Sequence, residues 1–204
     1  MPIYHSKKFP ESALAHKYLD GLTGLEIGGA AHNAFGLDTL NVDRFHNTDL
    51  GFEPYALEQV RLCGEVMPVD IVAYGDSIPV DDKSFDFVIN SHVIEHFYDP
   101  ISAIREWMRI SRQYIFMIVP KRDALESDRD KPLTEVEELA NRFFEQKGGT
   151  SDEHHSRWTA ATFLYMLDWI FLQPWAKGWE VVHVDTPDDK VGNGFSVVLK
   201  YFEK

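Results

Sequence analysis

The chain has 204 residues, 44% hydrophobic and 26% charged, enough for one sizeable α/β domain with a real core and unlike the composition of a disordered chain. Its formal net charge of -13 opposes a polyanionic backbone and argues against DNA or RNA as the main substrate. A single cysteine, Cys63, excludes an intrachain disulfide framework and a zinc site built from several cysteines.

Short apolar runs rich in branched and aromatic residues alternate with segments of helical character. A helix is expected over 11–20, then strands "GLEI" (24–27) and "TLNVD" (39–43). A second helix over 53–63 ends near Cys63, and strands "VDIVAY" (69–74) and "FDFVIN" (85–90) follow. Next come a helix over 100–111 and the strand "YIFMIV" (114–119). A helix over 134–147 has a capping-box start at Thr134 and Glu137, and another over 159–173 begins after Thr159. The last strands, "WEVVHVD" (179–185) and "FSVVLKYF" (195–202), are joined by a loop without a helix. Alternation of this kind predicts a Rossmann-like, doubly wound α/β sheet of seven strands with helices on both faces. It is mostly parallel, and the final strand is antiparallel to its neighbour.

The polar segments within 120–158 interrupt the rhythm and are read as a cap-like insertion on a single domain spanning 1–204. No signal-peptide pattern is present, and "FLYMLDWIFL" is too short for a membrane span and carries Asp168, so a cytoplasmic protein is expected. In the same helix Phe163, Leu167, Ile170 and Phe171 are placed on a core face. Trp169 or Trp175 is left for a subunit contact of a homodimer.

Ligands of open α/β sheets bind beyond the carboxyl ends of the strands, where the strand order reverses. "LEIGGAA" ends the first strand, and Gly28 and Gly29 permit a tight turn and close backbone approach. Asp43 ends the second strand, where a carboxylate can accept both hydroxyls of a ribose. Asp76 follows the third strand, and the fourth lies within "GDSIPVDDKSFDFVINSHVIEHFYDP", residues 75–100. A pyrophosphate loop of the G-x-G-x-x-G kind is poorly matched, because the glycines are adjacent and the third is missing.

These phrases, "EIGGAA", "NVD", "GDSIPVDDKSFDFVIN" and "SHVIEHFYDP" in order, resemble a class I S-adenosylmethionine-dependent methyltransferase of the type-11 kind. The resemblance covers roughly residues 22–120 and, more loosely, the strands after 179. It implies that Glu26, Gly28 and Gly29 approach the methionine part of S-adenosylmethionine, that Asp43 binds the ribose hydroxyls, and that Asp76 with Ser77 meets the adenine. Ser91 and His92 would line the methionine and substrate side. Ala30, Ala31 and His32 stand where the family has further glycines, and the stretch from Glu26 to Asp43 is short, so the first crossover helix is expected to shrink to a turn. Asp86 is read as structural, and Glu95 with His96 as starting a helix and orienting the loop.

Methyl transfer from a sulfonium is an in-line displacement that mainly needs alignment and exclusion of water. A hydroxyl acceptor also benefits from a base, and histidine suits neutral pH. Of nine histidines, "SDEHHSRWT" concentrates two, so His154 or His155 is the expected base or substrate contact, with His92 next. Asp152, Glu153, His154 and His155 are metal-ligand types, but adjacent histidines point apart and no H-x-x-x-H spacing exists, so no metal is assigned. The expectation is a methyltransferase acting on a small molecule, with oxygen of a sugar or other metabolite as acceptor. A degenerate methyltransferase fold serving as a binding or partner subunit, and a dinucleotide-dependent oxidoreductase, are the alternatives.

Overall fold

The computed structural model describes residues 9–29 and 35–203. Seven strands, β1 (Thr23–Ile27), β2 (Asp38–Asp43), β3 (Ile71–Val72), β4 (Phe85–Ser91), β5 (Ser111–Pro120), β6 (Trp179–Asp185) and β7 (Gly194–Tyr201), form one sheet in the order β3-β2-β1-β4-β5-β7-β6. The pairs among β1 to β5 are parallel, and β7 is antiparallel to both β5 and β6. The helices are α1 (Ala13–Leu19), α2 (Glu53–Cys63), α3 (Pro100–Ile110), α4 (Val136–Glu145) and α5 (Ala160–Phe171).

The central strands bury both faces, which is why they read as continuous apolar runs. In β4, Phe87 and Ile89 join α1 residues Leu14, Ala15 and Leu19 in one core, while Val88 points into the other. In β5, Phe116 and Ile118 face the first core and Ile115, Met117 and Val119 the second. The second core takes Ile101, Ile104, Trp107 and Met108 from α3, Leu139 from α4, and Phe163, Met166, Leu167 and Ile170 from α5. Trp107 ties it to the site, because its indole N–H donates to the Gly75 carbonyl at 2.8 Å.

Some expected details differ. The third strand is two residues long, not six, because its bonds to β2 end where Ala73 N–H meets the Asp43 carbonyl, after which Ser77 N–H turns back to Tyr74. Thr134 does not cap α4; its hydroxyl accepts from Arg157 N–H at 3.0 Å, and the helix begins after Glu135 without a side-chain cap. Thr159 does cap α5, in a reciprocal box with Thr162. Glu95 and His96 lie in a single 3-10 turn, Ile94–His96, with α3 starting only at Pro100. Trp169 and Trp175 both stack against Phe143 of α4. The connection from β1 to β2 has no helix among its described residues; Ala30, Ala31, His32 and Asn33 lie outside them. Among the described residues no helix is long and apolar enough to cross a membrane.

Candidate active site

Strand order reverses between β1 and β4, so their carboxyl ends diverge toward loops on opposite sides and leave a crevice. A cavity of about 490 Å³ occupies it. Ile27 and Gly28 reach it from β1, Val42 and Asp43 from β2, Ala73 and Gly75 from the turn after β3, and Ser91 and His92 from β4. The polar insertion closes the other side through Leu125, Thr150, Asp152 and His154.

Gly28 turns the chain with φ +62° while its N–H still donates to the Val42 carbonyl at 2.8 Å, so the loop leaves the sheet at once. Gly29 N–H donates to the buried Asn41 side chain at 3.2 Å. Asp43 is half-buried, and burial pushes its carboxyl above the usual range although Phe45 N–H donates to it at 3.2 Å. Beside it Arg44 pairs with Asp152 and with the Tyr55 hydroxyl of α2, which also donates to Asp152, so a clamp bridges the end of β2 and the insertion. Neither Arg44 nor Tyr55 was visible as a site residue, since no motif marks them.

His92 has left-handed backbone, φ +56°, which is strained for a side chain with a Cβ. Its Nε2 bonds the Asn193 amide oxygen at 2.8 Å and its Nδ1 meets the Ser91 hydroxyl at 3.2 Å. Asn193 is held in turn by the loop that Asp188 caps through the N–H groups of Lys190, Val191, Gly192 and Gly194. Burial lowers the His92 pKa.

The expected histidine pair separates. His154 faces the cavity, with Nδ1 bonded to the carboxylate of Asp128 and Nε2 3.9 Å from Glu95 Oε1. Asp128 is 3% exposed; burial works against its charge, but bonds from Arg157 and Lys131 outweigh it and keep its pKa low. His155 is not among the cavity's lining residues: its Nε2 meets the Ser151 hydroxyl at 2.8 Å and its N–H donates to the Glu95 carbonyl. Glu95 and His96 do line the cavity, on the wall that His154 completes. His96 is pushed down to about 4 by burial, and Glu95 up to about 8 by the same cause.

Besides His155, four predicted residues are not among those lining the cavity: Glu26, Gly29, Asp76 and Ser77. Glu26 is 2% exposed behind the loop, its pKa raised by burial to about 7, with the Thr39 hydroxyl 3.5 Å away. Asp76 and Ser77 line a separate depression with Tyr74, Ser102, Gly148 and Gly149. The Asp76 carboxylate is engaged there, accepting Gly149 N–H at 2.8 Å. Asp86 accepts from Thr23, Arg112 and Gln113, joining the amino ends of β1, β4 and β5.

The donor set suits a nucleoside with a cationic sulfonium better than a pyrophosphate. Asp43, Glu58, Glu95 and Asp152 make the lining acidic. Among the described lining residues Arg44 is the one guanidinium or ammonium group, and it is paired. Apolar Ile27, Val42, Leu62, Ala73 and Phe97 provide the flat-ring environment an adenine needs.

A family model described as a methyltransferase domain, of the type-11 kind, matches residues 25–116. No curated protein matches. Among solved structures, a chain described as a S-adenosylmethionine-dependent methyltransferase from Methanosarcina mazei is 14% identical, with 96% of this chain and 100% of that one covered and a TM-score of 0.56. One described as a possible histamine N-methyltransferase from Thermotoga maritima is 16% identical over 93% of this chain and 87% of that one, with a TM-score of 0.52. A plantazolicin methyltransferase, solved with a substrate analogue and S-adenosylhomocysteine, is 14% identical over 95% and 81%, with a TM-score of 0.56. Residues 25–116 thus match a methyltransferase domain model, and the chain shares the fold of these solved methyltransferase structures.

Proposed function

We propose that the chain transfers the methyl group of S-adenosylmethionine to a hydroxyl oxygen of a small molecule, such as a sugar or other metabolite. S-adenosylmethionine supplies a methyl on sulfonium sulfur; the acceptor oxygen bonds that carbon as the carbon–sulfur bond breaks, leaving S-adenosylhomocysteine. Asp43 receives the ribose hydroxyls, and Gly28 and Ser91 border the methionine end. The observation that carries the reading is His154: Nδ1 is fixed by Asp128, and Nε2 has no hydrogen bond among the described residues and sits on the cavity wall. Because Asp128 holds the Nδ1 proton, Nε2 is left as the acceptor that can take the hydroxyl proton. The proton then passes to solvent. The net charge of -13 and the enclosing insertion favour a small acceptor over a nucleic acid.

Purified protein incubated with S-adenosylmethionine and a panel of hydroxylated metabolites should release S-adenosylhomocysteine with at least one of them. His154→Gln should lower that release roughly 10²–10⁴-fold, with S-adenosylhomocysteine affinity kept, while His155→Gln changes it little. Calorimetry showing tight NAD binding and no S-adenosylhomocysteine binding would overturn the reading in favour of an oxidoreductase. Binding of S-adenosylhomocysteine with no turnover across hydroxyl, amine and thiol panels would favour a non-catalytic subunit.

A further inference from the structure

We propose that Glu95, His96 and His154 form a site for one divalent transition-metal ion, held by two imidazoles and a carboxylate on the acceptor side of the cavity. One ligand atom from each of the three residues lies within 4.8 Å of the others. What makes the cluster a site rather than a coincidence is where its protons are. His154 Nδ1 bonds the Asp128 carboxylate, and His96 Nδ1 bonds the Ser151 carbonyl at 3.1 Å. Carbonyls and ionised carboxylates only accept, so each Nδ1 carries the proton and each Nε2 presents a lone pair. Both Nε2 atoms lie near one oxygen: His96 Nε2 is 3.8 Å and His154 Nε2 is 3.9 Å from Glu95 Oε1. Those distances are too long for hydrogen bonds.

Glu95 is the independent observation. It is 1% exposed, and among the described residues neither carboxylate oxygen has a hydrogen-bond partner. A buried carboxyl without donors either takes up a proton or meets a cation. The nearby cationic side chains are spent elsewhere, Arg157 and Lys131 on Asp128 and Arg142 on Glu138 and backbone carbonyls. Three metal-ligand atoms converge within 4.8 Å, and among the described residues no cationic side chain is paired with Glu95, an arrangement a metal ion resolves.

Ligands at about 2.0–2.1 Å from a metal stand roughly 3–3.4 Å apart when adjacent, so ring rotations on the order of 1 Å close the site. Two imidazoles select zinc, iron, cobalt or nickel over magnesium or calcium. Asp128 and the Ser151 carbonyl stand behind the rings as the outer partners that orient such ligands. All three residues line the cavity, so an ion held by them would border it, within reach of water or an acceptor oxygen. That last step rests on the methyl-transfer reading; binding of the ion does not. An ion held there would occupy His154 Nε2, so the metal-free protein is the form in which Nε2 takes the acceptor's proton.

The full chain, stripped by dialysis against a chelator, is titrated with cobalt(II). Stoichiometric uptake with visible d–d absorption is expected, displaced by zinc and not by a large excess of magnesium. His154→Gln and Glu95→Gln should each abolish the absorption, and Asp128→Asn should weaken cobalt binding about 10–100-fold. Glu95→Gln is near-isosteric; if it fails to fold, His96→Gln tests the same ligand set. Absence of cobalt absorption in the wild type, or its survival in both ligand variants, overturns the proposal. So does displacement by magnesium. Calorimetry with S-adenosylhomocysteine on the metal-free protein is run alongside, so a failed metal site with intact nucleoside binding leaves the methyltransferase reading standing, and the reverse result does not.

Discussion

Replacing Asp43 by alanine separates a ligand-binding role from a structural one. In the proposed complex its carboxylate accepts two ribose hydroxyls, and hydrogen bonds to a charged group contribute about 1.5–3 kcal/mol each. Loss of both is about 3–6 kcal/mol, which at about 1.4 kcal/mol per tenfold weakens S-adenosylhomocysteine binding roughly 10²–10⁴-fold. The folded protein, by contrast, gives up little. Among the described residues the carboxylate accepts Phe45 N–H at 3.2 Å and has Arg44 beside it, yet burial outweighs both and holds its pKa above the usual value, a cost the free protein carries. Asp43→Ala should therefore leave the urea midpoint unchanged or slightly raised at pH 8 while affinity collapses. Asp43→Asn, which keeps one acceptor, should fall between. The sign with pH follows: protonation removes the acceptor, so wild-type affinity declines as pH falls through the raised pKa, and the asparagine variant loses that dependence. Isothermal titration between pH 5 and pH 8 measures both. A change below threefold in Asp43→Ala, with an intact circular dichroism spectrum, refutes the assignment.

Three further outcomes can be read from stability and binding together. Glu26→Gln should stabilise the protein by up to about 3 kcal/mol at pH 8.5 and by nothing below pH 4, because its folded pKa of about 7 exceeds the ordinary 4.5 and stability is lost as pH rises between them; a lower urea midpoint at pH 8.5 would contradict this. Gly28→Ala forces a side chain into φ +62° with its Cβ 3.0 Å from Val93, so a loss of about 1–2 kcal/mol and weaker nucleoside binding are expected, checked by melting with and without S-adenosylhomocysteine. Asp188→Ala removes the acceptor of four backbone N–H groups and should cost about 2–4 kcal/mol. Those N–H groups outweigh burial and hold the Asp188 pKa low, so its contribution is present at neutral pH and lost as pH falls into the acid range, and the variant should show a shallower acid limb.

The sheet could be read from the chain because its central strands are buried on both sides, and a run such as "YIFMIV" leaves little choice of conformation. Element ends were harder. Thr134 and Glu137 carry the capping-box spacing, yet Arg157 N–H, 23 residues away, takes the Thr134 hydroxyl. Local chemistry offered a cap and a tertiary contact outcompeted it. The cavity's floor was legible for a topological reason. Gly28, Asp43, Ser91 and His92 end strands or directly follow them, and the loops leaving a parallel sheet part to opposite sides where the order reverses, which opens a crevice there.

Its roof follows no such rule. Asp128 meets His154 across 26 residues of insertion, and Glu95 meets both His96 and His154 only because the chain from Gly149 to His155 runs back along Glu95 to Tyr98. Contacts between loops have no period, so "EHH" in a polar stretch names the residue types without saying which points inward. Adjacent residues on an extended chain face opposite ways. His155 turns to Ser151, and His154 turns to the cavity. That single parity, invisible in the sequence, decides which imidazole faces the cavity where the proposed acceptor would bind.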